Sequence, residues 1–132
     1  MDTAAIVTHI KPDLLAAGFA VVQSALSVEA IPNWDQLPAA FVHPVKDVAR
    51  GGNRFGTYAH AQTVDEQFAV VTVCAIDELE TWRGHVRDKL IAGPLPGRVF
   101  ETDFIEGEIL DLNRTAIWWR DVYGTAVERR ST

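Results

Sequence analysis

Ile6, Ile10 and Leu14 recur at i, i+4 spacing near the start of the chain, with Val7 and Leu15 beside them. That period places them on one face of a helix, with Asp2 or Thr3 as its N-cap and Gly18 as its stop. Pro12 interrupts the pattern, so the expectation is a kinked helix, or a short one followed by a second turn. The apolar run from Phe19 to Leu26 predicts a strand. Residues 27–37 contain Pro32, Asn33 and Trp34 and read as a connection, with a helical turn around Asp35, Gln36 and Leu37.

Pro38 to Val45 predicts a second strand, and its two prolines place it near a sheet edge. Lys46 to Ala61 follows as a long irregular segment with Gly51, Gly52, Asn53 and Gly56. Loops beyond about 12–15 residues are uncommon and usually functional or disordered. From Gln62 to Ala75 the alternation is clear: Phe68, Val70, Thr72 and Cys74 point one way, Ala69, Val71, Val73 and Ala75 the other. Both sets are largely apolar, which predicts a central strand covered by helices on at least one side. Asp77 is the expected cap of the next helix, with Glu80 completing a capping box. Leu79, Trp82, Val86 and Leu90 form its apolar stripe, and Arg83, Arg87 and Lys89 are expected to face water. Gly93 to Gly97, with two prolines, ends it. Strands from about Val99 to Leu112 and Thr115 to Val127, joined by a tight turn at Asn113 and Arg114, complete the chain before a polar tail.

These elements predict an α+β layer fold: a mostly antiparallel sheet, helices packed on one face, and a long loop or arm between the early strands. At 132 residues the chain fits one domain over 1–132, long enough to bury a core without a metal or disulfide staple. Cys74 is the only cysteine, so no intrachain disulfide forms. The N-terminal stretch lacks the basic region and unbroken apolar run of a signal peptide, and no segment approaches the roughly 18 apolar residues of a membrane helix. A cytosolic site of synthesis is therefore expected. The net charge of −6 argues against a protein that grips nucleic acid through phosphate contacts.

Candidate chemistry is sparse. His9, His43, His60 and His85 stand apart, without the short ligand spacing of a zinc site, so no metal is expected. Cys74 lies mid-strand among valine and alanine, where a thiol behaves as a small hydrophobe and not as a nucleophile. Gly51 to Gly56 lacks the Lys-Ser/Thr ending of a phosphate loop, and no dinucleotide fingerprint or nucleophile elbow is present, so no cofactor is expected. Asp103 with Glu106, or Glu108 with Asp111, offer acid–base pairs, but alternation reads them as the wet face of a strand. Trp118 and Trp119 must point to opposite faces, one into the core and the other toward a helix, a partner or solvent. No catalytic residue is assigned, and the chain is read as a protein that packs against copies of itself and other proteins.

Three stretches carry a family likeness. Pro38-Ala39-Ala40-Phe41-Val42-His43-Pro44 is followed by a glycine-rich loop and then by Gln62 to Val71. Val86 to Leu90 leads into a Gly-Pro turn, and Phe104 to Leu110 precedes a tryptophan-bearing last strand. In this pattern the chain resembles, over nearly its whole length, the tail terminator proteins of long-tailed bacteriophages. One departure is the Gly93-Pro94-Leu95-Pro96 turn, where the resemblance leads one to expect a tryptophan before the proline.

The resemblance implies a structural virion protein. It would form a homo-hexameric ring that caps the tail tube, stops its polymerisation and offers a docking surface to head–tail connector or neck proteins. DNA would pass through the bore without specific binding, and no membrane would be involved. The implied location is the tail–neck junction of the virion, reached from the host cytoplasm during assembly. Another head–tail joining subunit, or a small ligand-binding or enzymatic domain, are the competing readings. Expected contacts between subunits are Lys46, Arg50, Arg54, Phe55 and Tyr58 on the arm, and Glu106, Glu108 and Asp111 on the hairpin.

Overall fold

A computed structural model describes residues 2–25, 37–49, 61–96, 98 and 101–130. Helix α1 runs Thr3–Ala17, and strands β1 and β2 run Val21–Ser24 and Ala39–Ala49. Strand β3 (Ala61–Cys74) leads through a 3-10 turn, Ile76–Glu78, into helix α2 (Leu79–Ile91). The final hairpin pairs β4 (Asp103–Leu112) with β5 (Ile117–Arg130). The five strands form one sheet in the order β1-β2-β3-β5-β4. Only β1 and β2 run parallel, so the sheet is mostly antiparallel and the fold is α+β.

Helix α1 starts where Asp2 accepts hydrogen bonds from the backbone of Ala4 and Ala5, at 3.0 and 3.4 Å. It continues through Pro12 as one element and stops at Gly18, whose φ of 120° is a conformation that side chains disfavour. The expected stripe of Ile6, Ile10 and Leu14 is buried, while Leu15 points outward. Helix α2 departs from expectation at its start. Asp77 lies in the 3-10 turn, and Glu78 occupies the cap position without a side-chain hydrogen bond. The turn itself tightens the helix entry and replaces the capping box.

Both helices lie on one face of the sheet. Ile6, Ile10, Leu14, Phe19, Val86 and Leu90 meet Ala40, Val42, Phe68, Val70 and Tyr123 in the main core. Trp82 packs at its margin, edge-on to Phe19 with ring centroids 5.0 Å apart. The opposite face carries a second cluster of Ala39, Phe41, Val71, Val73 and Ala116, with Trp118 packed against it. Both faces of β3 are therefore buried and the strand is central, as its composition predicts.

Strand β2 lies near an edge, as its prolines predict, next to the short outer strand β1. From Ala39 to Val42 it lies between β1 and β3. Its second proline is tolerated because β1 ends opposite Val42, so Pro44 sits where no β1 residue needs its missing N–H. A bulge follows between Pro44 and Lys46, and pairing with β3 then resumes to Ala49. The ladder thus claims Lys46 to Ala49 and Ala61, which the sequence assigns to an irregular arm. Residues 50–60, with Arg50, Arg54, Phe55 and Tyr58, lie outside the described residues, as does the connection at 26–36.

Candidate interaction surface

The hairpin β4–β5 is set by Asn113. Its side-chain oxygen accepts from the backbone N–H groups of Thr115 and Ala116, each at 2.8 Å, and its own N–H meets the Ala116 carbonyl at 3.0 Å. An Asn side chain that mimics a backbone turn in this way fixes where the chain reverses, and with it the register of the two strands.

Strand β4 is the outer strand, and no described strand lies beyond it. Helix α1 lies over β1 and β2, and α2 over β3, with Arg83 of α2 reaching β5 and the position of Gly107 on β4. The sequence predicts one wet face here, but all of β4 except Leu110 is exposed. Phe104, Ile105, Ile109 and Leu112 are 44–53% exposed, which leaves four large apolar side chains in water on a single strand.

Two bulges sort these side chains. Register shifts fall between Phe104 and Glu106 and between Ile109 and Asp111. Each extra residue reverses the alternation that follows. Phe104 and Ile109 stand opposite Tyr123 and Trp119, on the helix side of the sheet. Glu106, Glu108 and Asp111 stand opposite Val122, Arg120 and Trp118, on the other side. The three carboxylates singled out from the sequence therefore share one face, which strict alternation denies to Asp111. Ile105 joins them through its bulge, resting against Gly124, where an added Cβ would sit 2.8 Å from its Cδ1. Arg120 reaches Glu108 at 2.9 Å, so this carboxylate already has a partner within the chain.

A buried ion pair stiffens the sheet beneath β4. Arg83 donates from Nε and Nη2 to the two carboxylate oxygens of Asp121, at 2.9 and 2.8 Å. Trp119 donates its indole N–H to the same carboxylate at 2.9 Å, and its ring lies 4.7 Å below the guanidinium. Glu80, on the exposed side of α2, takes the remaining reach of Arg83 at 2.7 Å. The hydrogen bond that Arg83 donates to Asp121 is the main cause that holds it even more firmly protonated than usual, against the burial that opposes it. Arg83 therefore does not face water, as the helical pattern suggests, because its partner lies 38 residues further along the chain. Gly107 lies directly under this cluster, and a Cβ there would sit 2.5 Å from Asp121 Oδ1. A second ion pair, Glu66 with Arg98 at 2.7 Å, closes the far end of the helix-side core.

Among the described residues the candidate chemical groups do not assemble into a reactive site. Cys74 is buried, and that burial, with Glu78 and Asp77 nearby, pushes its thiol up to about 11. Such a thiol is protonated at neutral pH and unsuited to nucleophilic attack. His43 is buried between its own backbone contact to Pro44 and a solvent-excluded Nε2. Among the described residues no group of histidine, cysteine and carboxylate side chains has the arrangement to hold a metal ion. Asp103, Glu106, Glu108 and Asp111 stand exposed on the outer strand. No helix among the described residues is long and apolar enough to cross a membrane.

Of the residues expected at a contact surface, Glu106, Glu108 and Asp111 are gathered on one side of β4, and Lys46 lies on the exposed second half of β2. The exposed apolar residues of β4 were not foreseen, because bulges leave no mark in the hydrophobic pattern. The Trp118–Trp119 pair resolves as one ring against the second cluster and one under Arg83.

No curated protein matches the chain significantly. A family model described as phage tail terminator protein matches residues 1–132, the whole of it. The chain belongs to the phage tail terminator family, structural proteins of the bacteriophage tail.

Proposed function

We propose that this protein, acting as a single-domain subunit, closes into a hexameric ring on the last layer of the tail tube, ends tube growth and presents the surface on which the head or neck docks. The observation that carries this reading is the family match along all 132 residues. Family membership implies contact with tail-tube and head or neck proteins and a place in the virion tail. The tail–neck junction, reached by assembly in the host cytoplasm, is the finer location proposed. A surface strand that exposes four large apolar side chains suits a protein whose work is contact. The chemistry of Cys74 and of the exposed carboxylates favours a purely structural role without catalysis or cofactor.

A ring needs two different patches that meet and close. The proposed patches are the segment bearing Lys46, Arg50, Arg54, Phe55 and Tyr58, and the hairpin carboxylates Glu106, Glu108 and Asp111. Rim ion pairs of this kind contribute about 0–1 kcal/mol each, so they set register more than affinity. Buried aromatic anchors contribute more, roughly 2 kcal/mol each. The bore is proposed to be acidic or neutral overall, since each copy carries a net charge of −6 and a conduit must let DNA slide.

Electron microscopy of tails assembled with and without the protein tests the reading. Tails of uniform length in its presence, and overlong tubes in its absence, are expected. Tails of normal length that fail only to join heads would identify a different neck subunit.

A further inference from the structure

We infer that copies of this protein join edge to edge, the outer strand β4 of one pairing antiparallel with the free end of β2 on the next, so that the sheets run on from copy to copy. The inference rests on the ring reading and specifies its contact.

The sheet has two unequal margins. On one side β4 offers ten residues with no described strand beyond them. On the other, β1 ends at Ser24 opposite Val42, and Ala25 adds a last hydrogen bond to the Val42 carbonyl at 2.8 Å. Past that point the margin passes to β2, whose Lys46 to Ala49 pair with β3 on one side and have no described strand on the other. Lys46 and Val48 there are exposed, Val48 to 46%. An open strand margin is a template for another strand, and stable proteins usually blunt it.

Face and charge match across these margins. Lys46 and Val48 stand opposite Gln67 and Asp65 on β3, on the side away from the helices. Ile105, Glu106, Glu108 and Asp111 lie on that same side at the β4 margin. Continuing the sheet into a second copy keeps this side in common. Lys46 then meets a carboxylate stretch, and Val48 meets Ile105. Lys46 makes no ion pair among the described residues, whereas Asp47 beside it already has a partner in its own chain. The strand directions agree as well. β2 and β5 run the same way and β4 opposes both, so β4 meets a neighbouring β2 antiparallel.

The same charges disfavour the symmetric alternative. Two β4 strands paired about a two-fold axis would set Asp103, Glu106, Glu108 and Asp111 against their own copies, and like charges directly opposite are destabilising. A head-to-tail contact is the type that generates rings. The margins lie diagonally across the sheet, since Asp103 at the start of β4 shares a row with Lys46. Joining copies therefore staggers them along the strands, as a sheet closing on itself requires.

Cross-linking of cysteine variants tests this. In a Cys74→Ala background, Val48→Cys and Ile105→Cys proteins are mixed at the highest soluble concentration and treated with a short bis-maleimide. The inference predicts cross-linked dimers in the mixture and only monomer in either variant alone. Placing both cysteines on one chain should give a ladder of higher species, weakened on adding Glu106→Lys with Glu108→Lys. Dimers from Ile105→Cys alone would show symmetric β4 pairing and overturn the inference. Absence of cross-links where end-on microscopy shows six-fold rings would overturn this contact and leave the ring reading standing. Absence of both would overturn both.

Discussion

Removing the carboxylate of Asp121 isolates a guanidinium that the fold has taken out of water. The Arg83 side chain is 14% exposed and that of Asp121 is 3% exposed, and two parallel hydrogen bonds join them. Breaking one partner of a buried pair typically costs 3–5 kcal/mol, because the remaining charge is left uncompensated. Arg83 retains Glu80, but that carboxylate is 76% exposed and offers weak, screened compensation. Asp121→Ala should therefore sit at the low end, about 3 kcal/mol. With a urea m-value of about 2 kcal/mol per molar, the midpoint falls by roughly 1.5 M at unchanged m. Replacing both partners by leucine should recover most of the loss, since apolar packing of similar volume often equals or exceeds a buried ion pair. Chemical denaturation of the two single variants and the double variant measures the coupling. A loss below about 1 kcal/mol for Asp121→Ala would mean that the pair behaves like a surface salt bridge, and the assignment of a brace beneath β4 would be wrong.

Two glycines should answer oppositely to alanine. Gly107→Ala drives a methyl into Asp121 and Trp119 and should cost about 1–3 kcal/mol, whereas Gly84→Ala, in α2 with nothing within 4 Å, should gain about 0.5–1 kcal/mol in the same denaturation assay. Burial, aided by Arg120 and opposed by the hydrogen bond to Pro44, holds His43 below its ordinary 6.5, so the unfolded chain takes up the proton first. Stability is then present above about pH 6.5 and lost as pH falls through that value toward the lower folded pKa, and His43→Leu should flatten this slope in denaturation midpoints taken across the range. Cys74 should resist a thiol-specific chromogenic reagent in the native protein and react fully in denaturant, and rapid native labelling would contradict its burial.

The parts of the fold carried by short-range periodicity were legible in the sequence. The i, i+4 stripe of Ile6, Ile10 and Leu14 and the two apolar faces of β3 report burial directly, and the structure buries both. What escaped depends on distant partners. The prolines of β2 place it near an edge, but the sequence does not show that β1 stops opposite Val42 and leaves the rest of β2 as the margin. Arg83 reads as solvated because Asp121 belongs to another element. Bulges at Ile105 and Leu110 change which face Asp111 takes without changing the composition of β4. The carboxylates of the contact surface were therefore found as residues, while their gathering on one face, and the apolar side chains beside them, required the register.

Adding purified protein to growing tail tubes, followed by end-on electron microscopy, tests the central claim most directly. The account predicts that elongation stops once each growing end carries a single six-fold ring of this protein. Continued elongation with the protein bound along the tube, or not bound at all, would contradict it.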